Sequence, residues 1–512
     1  MSSPVNADPV NADPVNADPV NADPVNTDPV NTEPQTGSPS PAPPEKGSAW
    51  AALRPLLLRL HFYAGLLVAP FLMVAALTGL LYAASFQLEK IVHSHELSVP
   101  AQKTTVPLSE QVAAAQRSRP GERVIAVRPA PEPGTTTRVL FALPDGDSGT
   151  SLAVFVDPHN GEVRGTLESY GSSGALPLRA WISSLHRHLH LGEPGRIYSE
   201  LAASWLWVVA LGGLLLWLSR RRARRGADRR ANRRARSLLL PERGVTGRRR
   251  TLSWHGSVGV WALLGLLFLS ATGLTWSKYA GVNVDAVRAA FGWQTPSISA
   301  ASSDHGGHGD SHGGHDHHSA PADDAGTVER VAGVAAARGM SGPLEIVVPP
   351  DADTPSLVKQ IDKVWPTRLD QITVDAHGQV VAELKFDDYP LMAKLVQWTI
   401  DTHMGIMFGL VNQVVLGLLA VGLMWLIVLG YRMWWLRRPT RGRTWSFGRP
   451  YPRGGWRAVP WPILAVLAVA AIAVGYALPL LGVSLLVFLA VDVLLGLRNR
   501  RNATTDTHPS SK

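Results

Sequence analysis

The chain is 512 residues long, has a formal net charge of +9, and contains 17 histidines and no cysteine. The absence of cysteine excludes disulfides, thiolate metal sites, iron–sulfur clusters and covalent c-type haem attachment, and leaves histidine as the obvious metal ligand. The positive charge does not point to nucleic acid, because the arginines crowd beside long apolar runs, which is what orientation in a membrane requires.

Residues 1–48 repeat PVNAD at five-residue spacing and then drift into a Pro/Ser stretch. They carry too little apolar bulk to build a core and read as a disordered cytoplasmic tail. Residues 51–88 hold the first membrane helix, with Arg54 and Arg59 at its start; the basic flank places the N-terminus inside. A small α+β module follows at 104–167. Its helix is expected over 108–116, and its strands over 123–127, 138–143 and 152–156, by β-branched content and alternation. Residues 178–219 read as an interfacial segment leading into a second span. The dense arginine run within 220–250 is a basic cytoplasmic loop. The third span occupies 252–278. A histidine-rich loop at 301–320 and a second α+β module at 326–387 follow, the module with a helix expected over 328–337 and strands near 344–348, 358–361 and 371–374, then an interfacial segment and fourth span at 396–436. The last apolar region, 461–497, is too long for one span and is interrupted at Leu478-Pro479, so it reads as a hairpin of two short spans. Six spans result, with both termini cytoplasmic and both modules extracytoplasmic. Asp492, in the last span, lies about a turn and a half from the cytoplasmic end and reads as snorkelling to the interface.

The spans repeat one another. LRLHFYAG and LSWHGSVG align without a gap, placing His61 on His255, Gly65 on Gly259, Thr78 on Thr272 and Gly79 on Gly273 at one constant offset. At a second constant offset Trp181, His186, Gly192, Gly213, Trp217 and Arg220 fall on Trp398, His403, Gly409, Gly430, Trp434 and Arg437. The expected fold is a mostly α membrane protein: a helical transmembrane bundle built from an internal duplication, with two small extracytoplasmic α+β modules.

The duplication sets histidines at matched depths. His61 and His255 each open an outward-going helix, and His186 and His403 each precede an inward-going one. Facing histidines in a bundle are how a b-type haem is held, one imidazole on each axial position, so two haems are expected, one per leaflet. Gly65 and Gly259, one turn on from His61 and His255, leave room for a porphyrin. In the segment SLHRHLHLG, His188 and His190 are alternatives to His186 as the outer ligand; His190 is one turn from His186 and is the substitute. His93 and His95 have no counterpart after the third span and rank lower. The loop DHGGHGDSHGGHDHHS carries His305, His308, His312, His315, His317 and His318. On a flexible Gly/Ser/Asp loop these are either a loosely binding transition-metal collector or a solvated insertion.

These motifs, the DTHMGIMFG segment and the two Thr-Gly endings resemble the PepSY-associated transmembrane helix proteins, also called iron-regulated membrane proteins, over residues 51 to about 497. The resemblance implies that the two α+β modules are PepSY-like. It also implies that His61, His255, His186 and His403 ligate haem, and that the chain reduces ferric siderophores at the inner membrane. The extra histidines of SLHRHLHLG and the N-terminal repeats depart from the family pattern. No Rossmann glycine pattern follows a strand, so a separate donor is expected, either quinol or a cytoplasmic reductase. The expected partners are therefore the lipid bilayer, that donor and a ferric siderophore. The alternative reading is a PepSY-type binding or regulatory membrane protein that acts on an envelope peptidase or another partner without redox activity.

Overall fold

The computed structural model describes residues 49–143, 149–225, 239–298, 324–351, 353–437, 453, 457 and 459–505. The N-terminal repeats, the histidine-rich loop with its six histidines and residues 226–238 of the basic loop lie outside the described residues.

The first span is not one helix. α1 covers Ala49–Leu67 and α2 covers Ala69–Val92. The cause is Pro70, which has no N–H to give to the carbonyl of Leu66, four residues earlier. That carbonyl is satisfied instead from outside the helix, where Tyr431 donates its hydroxyl at 3.0 Å. A single turn, α3 (Ser94–Leu97), leads into α4 (Leu108–Ser118) and the strands β1 (Val124–Arg128), β2 (Thr137–Ala142), β3 (Thr150–Val156) and β4 (Val163–Tyr170). The chain returns through α5 (Pro177–His188) and α6 (Glu193–Arg225), goes back through α7 (Gly247–Leu274), and turns in α8 (Ala280–Ala290). Next come α9 (Asp324–Ala337), β5 (Leu344–Val347), β6 (Ser356–Gln360), β7 (Gln371–Val374) and β8 (Val380–Leu384). The helices α10 (Leu391–His403), α11 (Leu410–Trp435), α12 (Trp461–Ala477) and α13 (Pro479–Thr505) complete the chain.

Among the described residues, five helices are long and apolar enough to cross a membrane: Ala69–Val92, Glu193–Arg220, Gly247–Leu274, Leu410–Trp435 and Pro479–Arg498. The sixth expected span, α12, has 17 residues, short of the ~20 that a bilayer core of ~30 Å needs. It ends at Leu478 because Pro479 cannot continue a helix and instead starts the next one. The two helices close against each other at glycines, where a Cβ on Gly475 would stand 3.2 Å from the Gly482 Cα. The bundle core joins Ala64, Leu72, Trp205, Leu266, Leu426 and Leu481, which come from α1, α2, α6, α7, α11 and α13.

All eight strands form one antiparallel sheet in the order β4-β3-β2-β1-β5-β6-β7-β8. Each half has one strand more than its sequence pattern suggests, β4 and β8. The halves meet where β1 pairs with β5, Ala126 opposite Val347 and Val127 opposite Ile346. An ion pair crosses the same seam, Arg128 Nη2 to Glu345 Oε2 at 2.6 Å. The helices α4 and α9 cover one face through Val112, Ala115, Val328, Val331 and Ala335. Leu176, just before α5, packs on Ala126, Leu140 and Phe155 in a separate cluster. Glu89 at the end of α2 accepts from the Leu176 N–H and from Arg179, at 2.9 and 3.0 Å. This carboxylate ties α2 to the start of α5.

Asp492 does not snorkel alone. Arg59, only 1% exposed, donates Nη2 to its Oδ2 at 2.9 Å, and Arg453 donates Nε to Oδ1 at 3.2 Å. The pair fastens α13 to α1. Removing one partner of a buried ion pair strands the other charge, so Asp492→Asn should cost about 3 kcal/mol. The measurement is the unfolding midpoint in detergent: a clear fall is expected, and an unchanged midpoint would show that the contact contributes nothing to stability.

Candidate functional site

His61 and His255 face one another across the bundle. Their ring centroids are 6.5 Å apart, with the planes at 78°. Each ring is held by a helix other than its own. His61 Nδ1 lies 3.1 Å from the Val209 carbonyl on α6, and His255 Nδ1 lies 3.1 Å from the Leu426 carbonyl on α11. The residue four positions after each of these carbonyls is a glycine, Gly213 and Gly430. A helical Cβ leans back toward the preceding turn, over that carbonyl. At Gly213 it would stand 3.1 Å from the His61 Cε1, so the glycine is what lets the ring reach the backbone. At Gly430 and Gly65 a Cβ would meet nothing within 4 Å, which leaves open space beside this pair.

His186 and His403 form a second pair near the sheet end of the bundle. Each ends a short helix, α5 or α10, and the two imidazoles lie within electrostatic reach of each other. His186 Nδ1 is 2.9 Å from Thr78 Oγ1, and His403 Nδ1 is 2.5 Å from Thr272 Oγ1. Both threonines already donate their single hydroxyl proton to a helix carbonyl, Thr78 to Val74 at 2.9 Å and Thr272 to Phe268 at 2.8 Å. Gly79 and Gly273 keep the next position clear, with virtual Cβ atoms 3.2 and 3.8 Å from the histidine Cε1. His186 also lies parallel to Tyr82, and His403 meets the edge of Trp276. The turn after His403 is fixed by its neighbours: Asn412 donates to the Thr402 carbonyl at 2.8 Å and Gln413 to the Gly405 carbonyl at 3.2 Å. Buried Asp401 accepts the Ile406 and Met407 N–H groups on its backbone carbonyl. Burial pushes its carboxyl above the usual range, opposed by the Lys363 charge and the Gln397 amide.

The hydrogen bonds decide the tautomer. A carbonyl cannot donate, so Nδ1 carries the proton at His61 and His255; at His186 and His403 a threonine hydroxyl that gives its proton to its helix carbonyl accepts from Nδ1 in the same way. Nε2 is then a bare lone pair, and no Nε2 of the four has a hydrogen-bond partner among the described residues. A metal-bound imidazole is oriented in just this way, by its second nitrogen donating to a neighbour. Two imidazoles on opposite sides of one metal, each at ~2 Å, have centroids roughly 6 Å apart; the His61–His255 separation fits that arrangement. The donor set, two neutral nitrogens per site in an apolar bundle, suits an axially ligated haem.

The remaining histidines are placed elsewhere. His190 Nε2 lies 3.0 Å from the Trp181 carbonyl, and its ring stacks on Trp181 at 4.9 Å. His188 sits edge-on to His190. His93 lies 4.0 Å from Glu96, at the end of α2. Among the described residues no cluster of three or more His, Asp or Glu could hold a metal ion. The threonines, the carbonyls of Val209 and Leu426, and Gly213 are contacts of the histidines that pattern reading did not assign, although the Thr-Gly endings and the Gly213/Gly430 match were visible signals.

The family described as PepSY-associated TM region matches residues 58–437. The chain belongs to this family. No curated protein matches the chain. All four paired histidines of this PepSY-associated TM protein fall inside the matched region, and so do all eight strands. With its five long apolar helices, it is a multi-pass membrane protein.

Thr272→Val keeps the side-chain shape but removes the acceptor of His403 Nδ1–H. It should destabilise the detergent-solubilised protein by about 1–2 kcal/mol, and Thr272→Ser should restore most of the loss. Equal unfolding midpoints for the Val and Ser variants would show that the hydroxyl does not hold the ring.

Proposed function

We propose that this chain is a dihaem b electron-transfer protein of the cell membrane that reduces ferric-siderophore iron on the extracytoplasmic side. One observation carries the reading: four imidazoles in two groups, His61 facing His255 and His186 near His403, each with Nδ1 against a neighbouring helix and Nε2 without a hydrogen-bond partner among the described residues. The contacts come in matched sets, His61–Val209 with His255–Leu426 and Thr78–His186 with Thr272–His403, at the offsets of the sequence repeat. That match supports an internal duplication, and the mirrored order of the sheet's two halves supports two PepSY-like units. The arginines at the start of α1 and α7 and the end of α6 and α11 support a cytoplasmic position for the His61/His255 end.

Each haem, when bound, supplies a one-electron iron couple. The protein's part is placement. His61 and His255 would hold the inner group, and His186 and His403 the outer. Thr78 and Thr272, which contact the second pair, each lie 17 residues along the chain from a member of the first, or roughly 25 Å at helical rise. The two pairs would therefore stand toward opposite faces of a ~30 Å bilayer core. The substrate iron gains one electron, Fe(III) to Fe(II), and a hard-oxygen chelator loses much of its hold on it. The electron comes from a separate donor, a quinol or a cytoplasmic reductase.

The test uses sealed vesicles carrying the full haem-loaded chain, with dithionite trapped inside and a ferric hydroxamate plus a ferrous-selective chelator outside. Wild type should produce external Fe(II) at least tenfold faster than protein-free vesicles. His61→Ala and His403→Ala should each fall to the protein-free rate. A wild-type rate equal to that of empty vesicles would overturn the reductase reading and favour a binding or regulatory role for the sheet.

A further inference from the structure

Away from the sheet, the start of α7 and the end of α11 enclose a recess of about 350 Å³, lined by Arg250, Thr251, Trp254, Trp425, Leu429 and Arg432. The spacing explains why these six converge. Residues 250, 251 and 254 share one face of α7, and residues 425, 429 and 432 share one face of α11. We propose that this recess binds the headgroup phosphate of an anionic phospholipid, with an acyl chain lying along its apolar wall. The inference goes beyond the electron-transfer reading and stands without it.

Charge is the first argument. Neither the Arg250 nor the Arg432 guanidinium has an acidic partner among the described residues, whereas Arg249 beside them is paired with Glu242 at 3.0 Å and Arg59 with Asp492 at 2.9 Å. One arginine from each of two helices lines the recess, and a guanidinium fork matches phosphate oxygens. The recess carries no carboxylate of its own to compete.

Position is the second argument. Both helices change character here, from the apolar run to GRRRT before α7's apolar stretch and to RMWWLRR at the end of α11. That is headgroup depth for a membrane helix, and basic pockets between spans at this depth take anionic lipid heads. The walls suit the rest of such a molecule. Trp254 and Trp425 are 42% and 49% exposed, indoles being at home at the interface, and buried Leu429 completes the apolar lining. A neutral quinol fits less well, because the lining offers no carboxylate or imidazole to take its protons.

The experiment measures binding of fluorescently labelled phosphatidylglycerol and phosphatidylcholine to the full chain in dodecyl maltoside, by fluorescence anisotropy. Wild type should prefer phosphatidylglycerol by about tenfold or more. Arg250→Gln with Arg432→Gln should lower that lipid to the phosphatidylcholine level, while the double lysine variant should keep most of the preference. If the glutamine variant does not fold, a salt titration of wild type decides: added salt should weaken phosphatidylglycerol and leave phosphatidylcholine unchanged. Equal affinity for the two lipids, undiminished binding in a folded glutamine variant, salt-insensitive binding, or displacement of the labelled lipid by equimolar neutral quinone would each overturn the proposal.

Discussion

The contact on which the rest of the structure depends is a hydrogen bond from an imidazole Nδ1 to a neighbouring helix, made four times. At His61 and His255 the acceptor is a helix carbonyl; at His186 and His403 it is a threonine hydroxyl that has already spent its proton. Each bond orients a ring, favours the Nδ1–H tautomer and leaves Nε2 without a hydrogen-bond partner among the described residues. The same bonds cross-link the helices, α1 to α6, α7 to α11, α5 to α2 and α10 to α7. Packing, tautomer and ligand geometry are therefore one constraint, and the small residues around the rings follow from it.

Charge is arranged around this constraint in two ways. Arg59, two residues before His61, is fully enclosed and compensated by Asp492 from the last helix. The terminal hairpin, whose long helix is otherwise little buried, is thereby fastened next to the His61/His255 end. Arg250 and Arg432 lie at the same end of the bundle but on its surface, with no acidic partner among the described residues. At the other end, Glu89 with Arg179 locks α2 to the segment that presents His186. An enclosed charge that is paired within the protein serves assembly, and an unpaired one at the rim is available to a partner.

Much of the candidate site was legible because the sequence repeat is local and gapless: matching LRLHFYAG to LSWHGSVG puts histidines in register without any knowledge of the fold. What the threonines do was not legible, since Thr78 and His186 are far apart in the chain and no periodicity reports a contact between distant segments. Nor could the pattern choose among His186, His188 and His190; the left-handed backbone at Leu189 and His190 turns the last of these aside onto Trp181. The strands show the same division. Apolar alternation locates β1 to β3 and β5 to β7, but β4 reads VRGTLESY and has few buried positions, so its pattern is weak. The union of two half-sheets through β1 and β5 is an edge-to-edge pairing, decided by tertiary placement. The break at Leu67–Ala69, by contrast, follows from one residue, Pro70. Asp492 shows the opposite limit: its helix and depth were readable, and its partners in α1 and at Arg453 were not.

The central claim is that the two histidine pairs each hold a haem. The most direct measurement is a reduced-minus-oxidised absorbance spectrum of the full chain, expressed with ample haem and purified in detergent, with pyridine haemochrome quantification. The account predicts two b-type haems per chain, falling to one in His255→Ala and to one in His403→Ala. A folded, colourless protein would contradict it.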